Sequence, residues 1–173
     1  MVLTAILHGV NFDFEQHIDA ELDAVVETLL DEDFQASLSP IGRLRERRLL
    51  DQTDDGNGRV TRKTRCVLDM DFGGMAQRFL GNSDPAWVET AVWDQSKLTW
   101  TWSVEPEVAK ELLSADGTIE LRADGSLCAR QIRGRVELRV PIYGSRIEPH
   151  IVEGLKEGYD EEVERIEKWL AGR

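Results

Sequence analysis

Three polar side chains occupy positions where strand alternation would place them in a buried site. His8, Arg62 and Arg130 share the parity of apolar neighbours on predicted strands, so we expect them to face the interior. A buried guanidinium can anchor a carboxylate, hydroxyl or phosphate group, and an imidazole with a partner can act as a general base. Because an unpaired buried charge is costly, two interpretations stay open. These residues form the polar end of an apolar cavity, or they lie at strand ends near solvent, with His8 as a hydrogen-bonded structural histidine.

Charged residues on the first predicted hairpin offer partners for Arg62. Glu46 and Arg48 share the inward parity of the leucines on their strand. Glu46 is therefore expected to pair with Arg62 or with Arg48. The opposite parity carries a basic stripe, which predicts a patch on the outer face that keeps the sheet edge soluble or faces the acidic N-terminal helices. The stripe consists of Arg43, Arg45, Arg47, Arg59, Lys63 and Arg65.

The familiar catalytic and metal-binding signatures are absent from the sequence. There is no Gly-x-Ser-x-Gly elbow, no phosphate-binding glycine loop and no His-Glu-x-x-His motif. The turn 51–56 resembles a calcium loop, but its twelfth position is Arg62 rather than a bidentate Glu. Cys66 and Cys128 lie on apolar strand parities without a Cys/His cluster, which predicts buried free thiols. We therefore expect no metal and no cofactor.

Length and charge narrow the class of protein. The 173 residues, 41% of them hydrophobic, predict a single domain over residues 1–173. Of the net charge of −12, residues 1–42 contribute nine acids and no Lys or Arg. This net charge disfavours nucleic acid and anionic membranes as partners, although the acidic N-terminal segment 1–42 would suit a basic protein partner. No apolar run approaches the about 18 residues of a membrane span, and no Lys or Arg precedes the apolar patch 2–7. We expect a cytoplasmic protein without stable membrane insertion.

Apolar periodicity and turn residues predict an α+β architecture. The order is one strand, two short helices, six antiparallel strands in three hairpins, and a long helix. Asp19 is the expected N-cap of the first helix. Four of the five tryptophans fall within residues 87–102, in the second hairpin. The predicted strands are 2–18, 43–52, 59–72, 87–93, 97–104, 118–123 and 127–140, and the helices are 20–30, a short one from 31 that ends by 40, and 145–170.

The long final helix has one apolar stripe and two glycines. At about 1.5 Å per residue it is roughly 40 Å long and needs a large curved sheet to lie against. Gly154 and Gly158 each cost about 1 kcal/mol of helix stability relative to Ala. They leave space for a ligand, or they let Trp100 or Trp102 approach the helix closely, and the sequence leaves both interpretations open. The stripe consists of Ile147, Ile151, Leu155, Tyr159, Val163, Ile166 and Leu170.

Four stretches in order carry a family resemblance. They are the entry into the two small helices (residues 18–26 with 31–34), the end of the tryptophan-rich hairpin (102–106), the last strand (134–141), and the final helix, which opens at 144–148 and closes at 167–170. Together they resemble the START-like superfamily, also called SRPBCC, with its helix-grip fold. More narrowly, the chain is similar to a bacterial branch known only as a domain of unknown function. That branch supplies no catalytic signature, so no catalytic residue carries over.

The resemblance implies a cavity between the curved sheet of about seven strands and the C-terminal helix. We expect this cavity to bind a small hydrophobic or amphipathic molecule, such as a lipid, a quinone or a polyketide-like compound, without transforming it. Two alternatives remain: a cyclase or hydrolase that uses His8 or a cavity acid, and an interaction module with little cavity. Segments 73–82 and 106–115 would frame the mouth. The predicted ligand-binding residues are His8, Phe12, Arg62, Met70, Trp100, Trp102, Arg130, Leu138, Gly154, Leu155, Gly158 and Tyr159.

Overall fold

Seven strands, two short helices and one long helix have defined bounds within the residues that the structure describes. The computed structural model describes residues 9–69, 74, 78, 80–140 and 143–173. Within these residues the element order agrees with the order predicted from the sequence. The strands are β1 (Val10–Ile18), β2 (Leu44–Asp54), β3 (Arg59–Leu68), β4 (Ala86–Asp94), β5 (Thr99–Pro106), β6 (Leu113–Asp124) and β7 (Leu127–Leu138), and the helices are α1 (Leu22–Leu30), α2 (Glu32–Ser37) and α3 (Gly144–Ala171).

All seven strands belong to one antiparallel sheet. Strands β2 to β7 pair with their neighbours in sequence, and β1 pairs with β7, which gives the order β1-β7-β6-β5-β4-β3-β2. The long helix α3 packs on β1, β7 and α1. A curved antiparallel sheet around a long C-terminal helix is the predicted fold, and the structure confirms it.

The two halves of α3 have different surroundings. In the C-terminal half Ile166 is fully buried, and the Trp169 ring meets the Phe34 ring edge-on at a centroid distance of 5.4 Å. Val25 and Leu29 of α1 belong to the same core. Apolar burial of this kind is the main favourable term in folding, so this end of the molecule is solidly packed. The N-terminal half of α3 instead lies over open space.

The short helices begin differently from one another. The predicted N-cap Asp19 is wrong: α1 begins at Leu22, and the backbone N–H of Asp19 donates to Glu167 of α3 at 2.9 Å. Asp31 does cap α2, where its carboxylate accepts from the N–H of Phe34 at 3.0 Å. That hydrogen bond is the main reason why the pKa of Asp31 lies below its usual range.

Two bulges in β2 overturn the predicted parity of that strand. The register against β3 shifts between Leu44 and Glu46, and again between Leu49 and Asp51. Each extra residue moves the following side chains to the other face of the sheet. Glu46 consequently lies outside, 3.1 Å from Arg65, whereas Leu50 is 42% exposed. Arg47, predicted for the outer patch, instead faces the interior.

Other sequence predictions differ in detail. Strand β6 begins at Leu113 rather than at residue 118, because Leu113 already pairs with Leu138 of β7. Cys66 and Cys128 are buried free thiols, as predicted. In the described part of the chain, no helix is both long and apolar enough to cross a membrane.

Candidate functional site

A cavity of about 280 Å³ separates the sheet from the N-terminal half of α3. Small-molecule sites usually measure roughly 300–1,000 Å³, and this cavity therefore suits a compact ligand better than a long one. The helix contributes Ile147, His150, Ile151, Gly154, Leu155, Gly158, Tyr159 and Glu162 to its wall.

Most of the cavity wall is apolar. The indoles of Trp87, Trp100 and Trp102 supply broad flat surfaces from β4 and β5, against which a ring or chain can pack. The segment before β6 also lines the cavity. Apolar residues of the connecting segments and strand ends in the wall are Leu80, Pro85, Pro106, Val108, Ala109, Leu112, Leu113 and Val140.

Arg62 projects from β3 into this wall and is 7% exposed. Its Nη1 donates to the carbonyl oxygen of Leu29 at 2.8 Å, near the C-terminal end of α1. Its guanidinium lies 4.4 Å from the ring centroid of Trp100, a cation–π contact. Its Nε is buried and donates to no atom of the described residues. Arg62 is thus fixed in position with hydrogen-bonding capacity left over.

Arg62 forms no direct ion pair among the described residues. Of the two predicted pairings, the one between Glu46 and Arg62 does not form, because Glu46 lies on the outer face beside Arg65. The alternative pairing of Glu46 with Arg48 does form there, at 3.6 Å. Burial, reinforced by the nearby positive charge of Arg47, lowers the pKa of Arg62 to about 10. The side chain still carries its proton at neutral pH, so the cavity holds a permanent positive charge.

Arg130 also lines the cavity but its donors are occupied. Nη1 donates to Glu162 of α3 at 2.6 Å, and Nη2 donates to the Gln16 side chain of β1 at 2.7 Å and to the Tyr159 carbonyl oxygen at 3.0 Å. Arg130 is 1% exposed. These hydrogen bonds connect β7 with β1 and α3, so Arg130 stabilises the packing of the helix on the sheet.

Tyr159 packs beside Arg130 and lines the same end of the cavity. The Arg130 guanidinium lies 5.4 Å from the Tyr159 ring centroid. Burial, with the nearby carboxylates of Glu89 and Glu162, raises the pKa of Tyr159 well above its ordinary value. Its phenol therefore stays protonated and remains a hydrogen-bond donor at physiological pH.

Four charged wall residues were missed in the sequence analysis: Arg43, Arg47, Glu89 and Glu162. Arg43, like Arg47, was predicted for the outer patch. Glu89 alternates with Trp87 and Ala91 on β4, and all three line the cavity. That parity was readable from the sequence. Arg47 faces the cavity only because of the first β2 bulge, for which the sequence carries no clear signal. Arg47 is held by Gln35, whose side-chain oxygen accepts from Nη2 at 2.8 Å.

Neither helix glycine packs against a tryptophan: Gly154 faces the loop after α2, and Gly158 faces open space. A Cβ on Gly154 would lie 3.0 Å from Cδ of Arg43, and one on Gly158 would meet no atom within 4 Å. The backbone of Gly42 approaches Gly158 so closely that a Cβ at Gly42 would lie 2.8 Å from the Gly158 Cα. The N–H of Gly42 also donates to Glu161 of α3 at 2.8 Å. The glycines thus let the loop after α2 close one side of the cavity.

The close approach of tryptophan occurs instead at the paired strand residues Gly117 and Gly134. A Cβ on Gly117 would lie 2.7 Å from Cζ2 of Trp102, and one on Gly134 would lie 2.6 Å from Cζ of Phe12. Phe12 stacks behind Trp102, with ring centroids 6.2 Å apart, and is not among the residues that line the cavity. Phe12 supports the wall from behind rather than meeting a ligand.

The remaining predicted residues fall into two groups. Leu138 of β7 and Leu155 of α3 line the cavity together with Trp100 and Trp102. His8 and Met70 lie outside the described residues. The structure therefore brings Arg62, both tryptophans, both leucines, Arg130, both helix glycines and Tyr159 to one cavity, to which Arg43, Arg47, Glu89 and Glu162 are added.

Solved structures with the same architecture are numerous. TTHA0849 from Thermus thermophilus is 16% identical, with a TM-score of 0.65 over 92% of this chain and 95% of that one. The Zhui aromatase/cyclase from Streptomyces sp. R1128 is 13% identical, with a TM-score of 0.58 over 95% and 93%. A START superfamily protein from Mycobacterium smegmatis is 10% identical, with a TM-score of 0.57 over 90% and 98%. At such identities the likeness establishes the START-like helix-grip fold alone.

Comparison at the sequence level gives the family. No curated protein matches the chain. The model of the family described as "Protein of unknown function (DUF2505)" matches residues 13–170, which include every described element except the first strand residues and the last helical residue. The chain has the START-like helix-grip fold, and it belongs to the DUF2505 family.

Proposed function

We propose that this protein binds or carries a compact amphipathic molecule in the cavity, without transforming it. The apolar body of the ligand packs against Trp100 and Trp102, and an acceptor group on the ligand receives hydrogen bonds from Arg62. The observation that carries this proposal is the buried guanidinium of Arg62, which lines an apolar cavity, has no acceptor for its Nε–H and forms no ion pair in the described part of the chain.

The energetics of Arg62 support a ligand-binding task. An unpaired buried charge lowers stability, and a pKa of about 10 shows that burial works against the charged form. Chains retain such groups where they serve function. A ligand carboxylate would supply the missing counter-charge and accept a charge-assisted hydrogen bond, roughly twice as strong as a neutral one.

Binding fits the chemistry of the wall better than nucleophilic catalysis. Burial, with the nearby Glu89 carboxylate, raises the pKa of the Cys66 thiol in the cavity to about 12. Because the thiolate is the reactive form, Cys66 is a weak nucleophile. A cavity acid, Glu89, keeps a cyclase or hydrolase as the second candidate function. Turnover of aryl esters or polyketide-type substrates by the wild-type protein, abolished by Glu89→Gln, would support that second candidate.

Native mass spectrometry of the purified protein, followed by organic extraction, tests the binding proposal. We expect a bound amphipathic compound that the solvent releases. Arg62→Met should lose the compound, while Arg133→Met, a matched change on the outer face where Arg133 is about half exposed, should retain it. Titration with 3-phenylpropanoate provides a second readout, because its carboxylate should shift the Arg62 Nε–H resonance, assigned by its loss in Arg62→Lys.

Two results would overturn the proposal. The first is a wild-type protein that carries no compound and whose Arg62 Nε–H resonance does not shift when 3-phenylpropanoate is added up to its solubility limit. The second is Arg62→Met binding every ligand as tightly as the wild-type protein does.

A further inference from the structure

The cavity carries a second ionic group close to Arg62. Glu89 of β4 lies directly opposite Thr64 of β3, while Arg62 is opposite Ala91. Arg62 and Glu89 are therefore diagonal neighbours across the two strands, with Cα atoms roughly 7–8 Å apart in such a pair. Both side chains line the cavity. Long side chains at this separation can reach the same small group of a ligand.

Glu89 and Arg62 do not neutralise each other by direct contact. Neither forms an ion pair within the described ranges, and Glu89 accepts no side-chain hydrogen bond there. Even the hydroxyl of Thr64 across the ladder is buried without a partner in that part of the chain. Arg62, whose Nε–H has no acceptor, and Glu89, whose carboxylate has no side-chain donor in that part of the chain, thus line the same space.

The other ionic groups at this end of the cavity leave one positive charge in excess. Arg130 is neutralised by Glu162 at 2.6 Å. Arg47 is bound to the uncharged Gln35, and Arg62 and Glu89 complete the set. A fourth wall arginine, Arg43, pairs with Glu153 and Glu157 of α3. The other three arginines face two glutamates among the described wall residues, and Tyr159 is uncharged. A ligand with one negative charge would balance this end of the cavity.

We infer that Glu89 is a specificity-determining residue, and that the ligand carries a carboxylate for Arg62 together with a neighbouring O–H or N–H donor for Glu89. The ligand class is a compact aryl or alkyl acid with a hydroxyl or amino group near its carboxylate. This inference rests on the proposed binding function and adds a requirement to it.

The requirement follows from the cost of leaving Glu89 unsatisfied. A simple carboxylate bound at Arg62 would enclose the Glu89 carboxylate beside another acid, without a donor to satisfy it. Burying a charged group without a hydrogen bond is strongly unfavourable. A ligand donor removes that cost and adds a charge-assisted bond, so the cavity discriminates between acids that differ by one hydroxyl group.

Calorimetric titration of three related acids tests the inference. The probes are 3-phenylpropanoate and its 2-hydroxy and 3-hydroxy derivatives. We expect the wild-type protein to bind at least one hydroxy acid about tenfold or more tightly than the parent acid, as one hydrogen bond to a charged group provides. Glu89→Met should abolish that preference by binding the parent acid as well as the hydroxy acids. Glu120→Met, a change on the exposed face of β6 where Glu120 is about half exposed, should preserve the preference.

The outcomes separate the two proposals. Equal binding of all three acids by wild type and Glu89→Met would overturn the role of Glu89 and leave the binding function intact. A preference for the hydroxy acid that persists in Glu89→Met would overturn it as well. If the wild-type protein bound none of the acids, the inference would be wrong, whereas the binding function would still be decided by the compound that native mass spectrometry detects.

Discussion

At the scale of single residues, alternation along a strand predicted the position of some cavity residues and not of others. Arg62 lies where its parity placed it, because β3 pairs with β4 without a bulge. Glu89 of β4 also lies on the face that strand alternation gives it, beside Trp87 and Ala91, but its position in the cavity was not predicted. Arg47 was assigned to the wrong face, because a bulge depends on pairing with the neighbouring strand and leaves little trace in local sequence.

The pKa of Arg62 predicts that this residue reduces the stability of the fold. The proton is held less tightly in the folded state, with a pKa of about 10 against 12.5. The charge therefore opposes folding below pH 10, and the cost is relieved only as pH rises from 10 towards 12.5. Arg62→Met should leave the free energy of unfolding at pH 7 unchanged or raise it by about 1–3 kcal/mol. The Leu29 carbonyl would keep its bond from Gln35 at 2.9 Å.

Urea unfolding at pH 7 measures this effect, with Arg133→Met on the outer face as the control. A loss of more than about 1 kcal/mol in Arg62→Met alone would show that Arg62 mainly supports the structure. If Arg62→Met loses the ligand while its free energy of unfolding is unchanged or higher, Arg62 is a binding residue rather than a structural one.

At the scale of elements, the type of each helix or strand was predictable from the sequence, whereas the residues at which some of them begin were not. The stripe of α3 and the alternation of β5 are strong periodic signals, so both elements appear close to their predicted bounds. The start of α1 and the start of β6 depend on tertiary partners, Glu167 for the first and Leu138 for the second. Gly117 lowers the strand propensity within β6 but is required by the Trp102 ring.

The two glycines of α3 should respond differently to alanine. A Cβ on Gly158 meets nothing within 4 Å, so Gly158→Ala should raise the free energy of unfolding by about 1 kcal/mol through helix propensity. The added methyl group projects from the cavity wall and should weaken ligand binding. In Gly154→Ala the Arg43 side chain has to move, because its Cδ would be 3.0 Å away, and the gain should be smaller. Chemical unfolding of both variants tests this, and destabilisation by Gly158→Ala would contradict it.

At the scale of the whole molecule, the architecture followed from element order alone. Seven antiparallel strands and a long amphipathic helix have few compact arrangements, and a sheet bent around the helix is one of them. The cavity was an expectation from the family resemblance. Its size and polar end depend on how Trp102 and Phe12 pack over Gly117 and Gly134, and on which charges pair. Such packing details emerge only in three dimensions.

The grip of α3 on the sheet should depend on the buried pair of Arg130 and Glu162. Their side chains are 1% and 13% exposed, and Nη1 of Arg130 lies 2.6 Å from Oε2 of Glu162. Arg130→Met or Glu162→Leu alone leaves a buried charge unpaired and should cost about 3–5 kcal/mol. The double variant removes both charges, so it should be much more stable than the sum of the two losses implies.

A double-mutant cycle by denaturant unfolding measures this coupling, which we expect to exceed about 2 kcal/mol. The matched control is the exposed pair of Lys168 and Glu164 on the same helix, at 3.7 Å. Changing those residues to Met and Leu should give a coupling below about 0.5 kcal/mol. Additive losses at Arg130 and Glu162 would contradict the prediction. In that case apolar packing of Ile166 and Trp169 would hold the helix over the cavity, and the ion pair would serve only to neutralise the cavity wall.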